Sequence, residues 1–85
     1  MEWHHVVTQQ ASNIERFGAE AIHNTGNLMK IPASLHKEVS AFYASKRAFS
    51  EGLRVRQWIG QKSFQEQYEF GIQTLKDLGW DHDKD

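Results

Sequence analysis

The chain has 85 residues, 39% of them hydrophobic, and a formal net charge of −1; that suits one small domain, below the size at which a core alone comfortably stabilises a fold, so a metal ion or partner chain would be a useful addition. The absence of cysteine excludes disulfides, thiolate zinc sites and cysteine nucleophiles, and leaves His, Asp, Glu and Asn as the available ligands. The charge balance argues against nucleic-acid affinity carried by a uniformly basic surface, no apolar run approaches the roughly 18 residues of a membrane span, and the first residues do not read as a signal peptide.

In chain order, Glu2 to Thr8 is rich in aromatic and β-branched residues and reads as a short strand carrying the doublet His4-His5. Gln9 to Phe17 reads as a turn and short helix, with Ser12 and Glu15 at capping-box spacing and Gly18 as its stop. Ala19 to Gly26 is expected to be irregular. Asn24-Thr25-Gly26-Asn27 supplies turn residues, and Leu28-Met29-Lys30-Ile31 follows as a second strand ended by Pro32. The two strands would pair as a ribbon with a long connection. Leu35, Val39, Phe42 and Tyr43 recur at helical intervals behind Ser34 as N-cap, which predicts a helix from about Ala33 to Lys46. Ser50-Glu51-Gly52 is a break, Val55 to Ile59 a short helix ending at Gly60, and Ser63 with Glu66 a capping box opening a last helix through Leu78. On that helix Phe64, Tyr68, Ile72 and Leu75 make the expected core stripe, with Gly79 after it. No repeat or low-complexity tract divides the chain.

The chemistry concentrates in histidine and asparagine. Successive strand side chains point to opposite faces, so one ring of His4-His5 can hold a metal while the next addresses a different group. Followed by His23-Asn24-Thr25-Gly26-Asn27 and by His36 in the first turn of the Ala33–Lys46 helix, the doublet completes the order His, Asn, His, which is that of a metal-dependent nuclease. Taken alone, each of these residues has an ordinary explanation: the doublet as half-exposed strand histidines, the asparagines as turn formers, His23 as a surface residue. Their combination carries the assignment.

Trp3-His4-His5, Ile22-His23-Asn24-Thr25-Gly26-Asn27 and Ile31-Pro32 with Leu35-His36 resemble the HNH, or ββα-metal, endonuclease superfamily. They are most similar to the WHH/AHH-type nuclease domains at the C-termini of bacterial polymorphic toxins such as Rhs and contact-dependent inhibition effectors. The likeness continues through Val55-Arg56-Gln57-Trp58 and Ser63-Phe64-Gln65-Glu66-Gln67-Tyr68. It implies an α+β fold: a ββα-metal core over residues 2–46 with helices added over 54–78, in one domain 1–85 that forms the C-terminal part of a longer polypeptide. It implies His4 as metal ligand, His5 as the base that activates water, and His36 as the helical ligand, nine residues after Asn27. Asn27 corresponds to the family's central Asn, which either bonds backbone to hold the base's loop or ligates the metal; both roles stay open here. Family members with two helical ligands carry a second His one turn after the first, where this chain has Ser40. The thinner ligand set favours one divalent ion, Mg²⁺ or Mn²⁺, with Zn²⁺ or Ni²⁺ also able to bind.

His23, Asn24 and Ser40 are further candidates for completing the site, and Lys37, Arg54 and Arg56, with Lys46 and Arg47, for contacting phosphate. Trp3 is expected as a packing anchor. Glu2 could orient His4 or His5 from behind, although neighbouring strand positions face apart. His82, in the charged tail Asp81-His82-Asp83-Lys84-Asp85, is expected to be disordered. The implied function is an antibacterial toxin that hydrolyses DNA in the cytoplasm of a target cell and is neutralised by a cognate immunity protein, this chain having no targeting signal. The competing readings are a non-enzymatic helical interaction domain, with a structural metal or none, and an RNase using the same residues.

Overall fold

The computed structural model describes residues 1–81; His82 lies outside them. The chain runs β1 (Glu2–His5), α1 (Ala11–Phe17), α2 (Ala19–Ile22), β2 (Leu28–Ile31), α3 (Ala33–Ala44), α4 (Val55–Ile59) and α5 (Phe64–Asp77), with single 3₁₀ turns at Thr25–Asn27 and Ala48–Ser50. This is a small α+β domain with a two-stranded antiparallel sheet. Glu2 pairs with Ile31, Trp3 with Lys30, His4 with Met29 and His5 with Leu28. Alternation then puts Glu2, His4, Met29 and Ile31 on one face of the ribbon and Trp3, His5, Leu28 and Lys30 on the other. The first face is the inner one: Ile31 is fully buried with Leu35, Val39 and Tyr43 of α3, and Val55, Ile59 and Leu75 complete that core. Among the described residues no helix is long and apolar enough to cross a membrane.

β1 is shorter than the expected Glu2–Thr8. Its ladder ends at His5 because the partner strand begins only at Leu28, and the side chain of Asn27 takes over the pairing. The Val7 N–H donates to Asn27 Oδ1 at 2.7 Å, and Asn27 Nδ2 donates to the Val7 carbonyl at 2.9 Å. An amide side chain thus stands in for one residue of strand, and Val6 and Val7 stay buried without belonging to the sheet. The connection after it is more ordered than its turn residues suggest. Gly18 at φ 86° ends α1 and lets α2 start at once, and Asn24 Oδ1 accepts from the Gly26 N–H at 2.8 Å to set the 3₁₀ turn.

Two expected caps are replaced. Ser12 does not cap α1, whose N-cap is Gln10, and Ser34 lies inside α3, with Pro32 in extended backbone as the N-cap residue. α3 stops at Ala44 rather than Lys46, where the Ser45 hydroxyl turns back to the Phe42 carbonyl at 2.6 Å and the Arg54 guanidinium covers the Ala44 carbonyl. The Ser63 and Glu66 capping box forms as expected. The buried face of α5, however, is Gln67, Gly71, Thr74 and Leu75; Phe64, Tyr68 and Ile72 flank it half-buried. Gly71 explains the rotation, since a Cβ there would lie 2.7 Å from Val6 Cγ1 and 2.9 Å from the Val6 carbonyl oxygen. Only hydrogen at that position lets α5 close on the segment following β1. Asn13 and Gln67 lock the same contact through paired amide hydrogen bonds of 2.9 and 3.0 Å, fully buried.

Candidate metal and base site

The inner face of β1 brings His4 against α3. His4 is 6% exposed, and among the described residues its Nε2 is the buried side-chain polar atom without a hydrogen-bond partner. The nearest ring is that of His36, centroid to centroid 5.4 Å at an interplanar angle of 70°. Burial, and then repulsion from His36 and His5, pushes the His4 pKa down from 6.5 to about 4, so the imidazole is neutral at physiological pH and offers a lone pair. A neutral buried imidazole with an unused nitrogen is costly unless something accepts it.

His36 is held from its far side. Its Nδ1 is 2.5 Å from Glu2 Oε1, a carboxylate on the same ribbon face as His4. Donation from Nδ1–H to the carboxylate leaves the His36 lone pair on Nε2. Glu2 was weighed only as an orienter of the doublet; the histidine it braces is that of the facing helix. Strand spacing puts Glu2 on the face of His4, but only the packing of α3 against the ribbon brings His36 to its carboxylate.

His5 belongs to the other face, where His5 Nε2 and His23 Nδ1 are 3.1 Å apart and the rings meet edge to face at 5.1 Å. Partial burial, then repulsion from His23 and His36, lowers the His5 pKa. Lying at the end of the strand, His5 nevertheless lines the same cleft of 340 Å³ as His4, His36 and Ser40. Val39 and Tyr43 continue the α3 wall at helical spacing from His36 and Ser40, Thr8, Gln9 and Gln10 form the opposite lip, and Arg56 is its cation. The lip residues and Tyr43 were not expected from sequence; their polar, turn-like context did not distinguish them. A larger hollow of 820 Å³, between β2, the start of α3 and residues 78–81, is lined by no histidine among the described residues. His4, His5 and His36 line the smaller cleft.

Asn27 does not reach the cleft. It is 2% exposed, with Oδ1 accepting from Val7 and Nδ2 donating to the carbonyls of Val7 and Ile22, the latter at 2.8 Å. Its amide therefore holds the segment that follows the doublet, and the expected alternative of direct ligation is set aside. Asn24 is likewise committed to its own turn. Of the cations, Arg56 borders the cleft, Arg54 is tied to the end of α3, and Lys37 does not line the cleft. Lys46 bridges Arg54 through backbone, and the Arg47 guanidinium sits 5.0 Å from the Phe42 ring centre.

Among the described residues no three of His, Asp and Glu converge as an ion site by themselves. His4 and His36 are the imidazoles that would hold an ion here: the buried Nε2 of His4 has no partner, and the His36 ring lies 5.4 Å away, centroid to centroid. The remaining positions would fall to water and substrate. No protein-family model, curated protein or solved structure matches the chain.

Proposed function

We propose that this chain is a metal-dependent DNA endonuclease of the ββα-metal type, with His4 and His36 as metal ligands and His5 as general base. The observation that carries the reading is the buried, partnerless Nε2 of His4 beside His36, in a cleft that His5 also lines. A divalent ion held there supplies charge neutralisation for the phosphoryl oxygens and the departing 3′ oxygen.

The chain's own groups do the rest. His5, neutral because its pKa is lowered, accepts a proton from water as the water oxygen attacks phosphorus. His23 sets the tautomer: when His5 Nε2–H donates to His23 Nδ1, the His5 lone pair lies on Nδ1, which takes the proton. The P–O3′ bond breaks, leaving a 5′-phosphate and a 3′-hydroxyl, whose proton comes from solvent. Arg56, the cation at the cleft, contacts a phosphate oxygen. Glu2 keeps His36 Nε2 available, and Asn27 fixes the backbone that carries the base.

The biological role proposed is that of a toxin domain delivered into a target-cell cytoplasm and inhibited by an immunity protein. Its support is the likeness of the Trp3-His4-His5 and Ile22–Asn27 strings to polymorphic-toxin nucleases. Incubation of plasmid DNA and of structured RNA with the domain, with Mg²⁺ or Mn²⁺ and with a chelator control, tests the activity. Chelator-sensitive nicking of DNA is expected; digestion of RNA alone would reassign the substrate, and inertness toward both would overturn the reading.

A further inference from the structure

The exposed face of the ribbon carries an indole that the fold does not use. Trp3 is 61% exposed, whereas Trp58 and Trp80 pack against the core. The expectation of a packing anchor is therefore wrong, because alternation puts Trp3 opposite the buried His4 and on the face of His5. Its cross-strand partner Lys30 holds Nζ 5.7 Å from the ring centre. The pair thus presents an exposed indole with a positive charge over one of its faces, the other face being open to a flat partner. Two strand positions separate Trp3 from His5, about 6.7 Å. An extended single strand advances about that far per nucleotide, roughly twice the stacked rise of about 3.4 Å.

We propose that Trp3 and Lys30 seat the unpaired nucleotide next to the scissile phosphate, the base stacking on the indole and the ammonium meeting its phosphate. This rests on the nuclease reading and gives it a substrate class: single-stranded or locally opened nucleic acid. In a duplex both faces of each base are already stacked, so an indole gains nothing unless the base is unpaired. The charge of Lys30 favours a polyanion, and Trp3 shares its ribbon face with His5, the one residue of that face that also lines the cleft.

Binding of a labelled single-stranded thymidine oligonucleotide and of a duplex of equal length, measured by anisotropy in chelator, is the test. Trp3→Ala should weaken single-strand binding by about tenfold or more and duplex binding by less than about twofold, while Trp3→Phe restores most of the loss. Lys30→Ala should lower the salt slope of single-strand binding by about one. Circular dichroism establishes that the variants fold, and Trp3→Phe serves if Trp3→Ala does not. Unchanged single-strand affinity, or equal losses on both probes, overturns the proposal, as does indole quenching that follows protein concentration without oligonucleotide, which would assign the face to a second copy. Cleavage assays separate the two readings. A wild type that binds through Trp3 but never cleaves refutes the nuclease and leaves this seat standing; one that cleaves with KM unaltered by Trp3→Ala refutes the seat alone.

Discussion

Two imidazole pairs sit on opposite faces of one short ribbon and have nearly the same ring geometry, with centroids 5.4 Å apart for His4 and His36 and 5.1 Å for His5 and His23. They differ in what surrounds them. His4 is buried with a nitrogen unsatisfied, and its ring partner is braced by the Glu2 carboxylate; His5 is half-exposed, and its nitrogen already has a partner in His23. Equal ring contacts therefore acquire different chemistry from desolvation and from the group behind each ring. On the proposed reading, one pair would donate lone pairs to an ion and the other would exchange a proton with water.

The most damaging change should be one that abolishes the contrast altogether. Asn27→Ala strands the Val7 N–H and the carbonyls of Val7 and Ile22, and should cost about 3 kcal/mol or more in urea unfolding, since several buried groups lose their partners. Asn24→Ala, which removes one exposed turn bond, should cost about 1 kcal/mol or less. Equal effects would mean that Asn27 is not what holds the doublet.

Acid should expose the cost of the buried pair specifically. His4 takes a proton at 6.5 when unfolded but only at about 4 when folded. Between those values the unfolded chain binds more protons, so this contribution to stability is complete above pH 6.5 and is lost as pH falls toward 4. In chelator, the His4 contribution should fall by about 2 kcal/mol from pH 7 to pH 5. His4→Leu should remove that part of the slope, and a slope unchanged in the variant would show that His4 is not the buried group responsible. The smallest expected effect sharpens the role of the brace: Glu2→Gln should weaken Mn²⁺ binding about tenfold in calorimetry, with folding stability little altered, because the carboxylate is exposed and its pairing with His36 is solvent-screened.

Elements set by local chemistry were readable from sequence: β2 between its turn residues and Pro32, α4 ending before Gly60, and α5 behind its Ser63 and Glu66 capping box. Features set by distant neighbours were not. The buried face of α5 depends on Val6 meeting Gly71, and the end of β1 depends on the Asn27 side chain replacing a strand residue. The site followed the same division. The opposed directions of His4 and His5 come from strand alternation alone, whereas Glu2 behind His36, His23 behind His5 and the cleft wall at Tyr43 needed the packing of α3 and the connection against the ribbon.

The separation of roles within the doublet is tested most directly by measuring Mn²⁺ affinity and plasmid cleavage in parallel for His5→Ala and His36→Ala. The account predicts that His5→Ala binds the ion as the wild type does while cleavage collapses, and that His36→Ala loses both. Cleavage that survives in His5→Ala, or metal affinity that survives in His36→Ala, would contradict it.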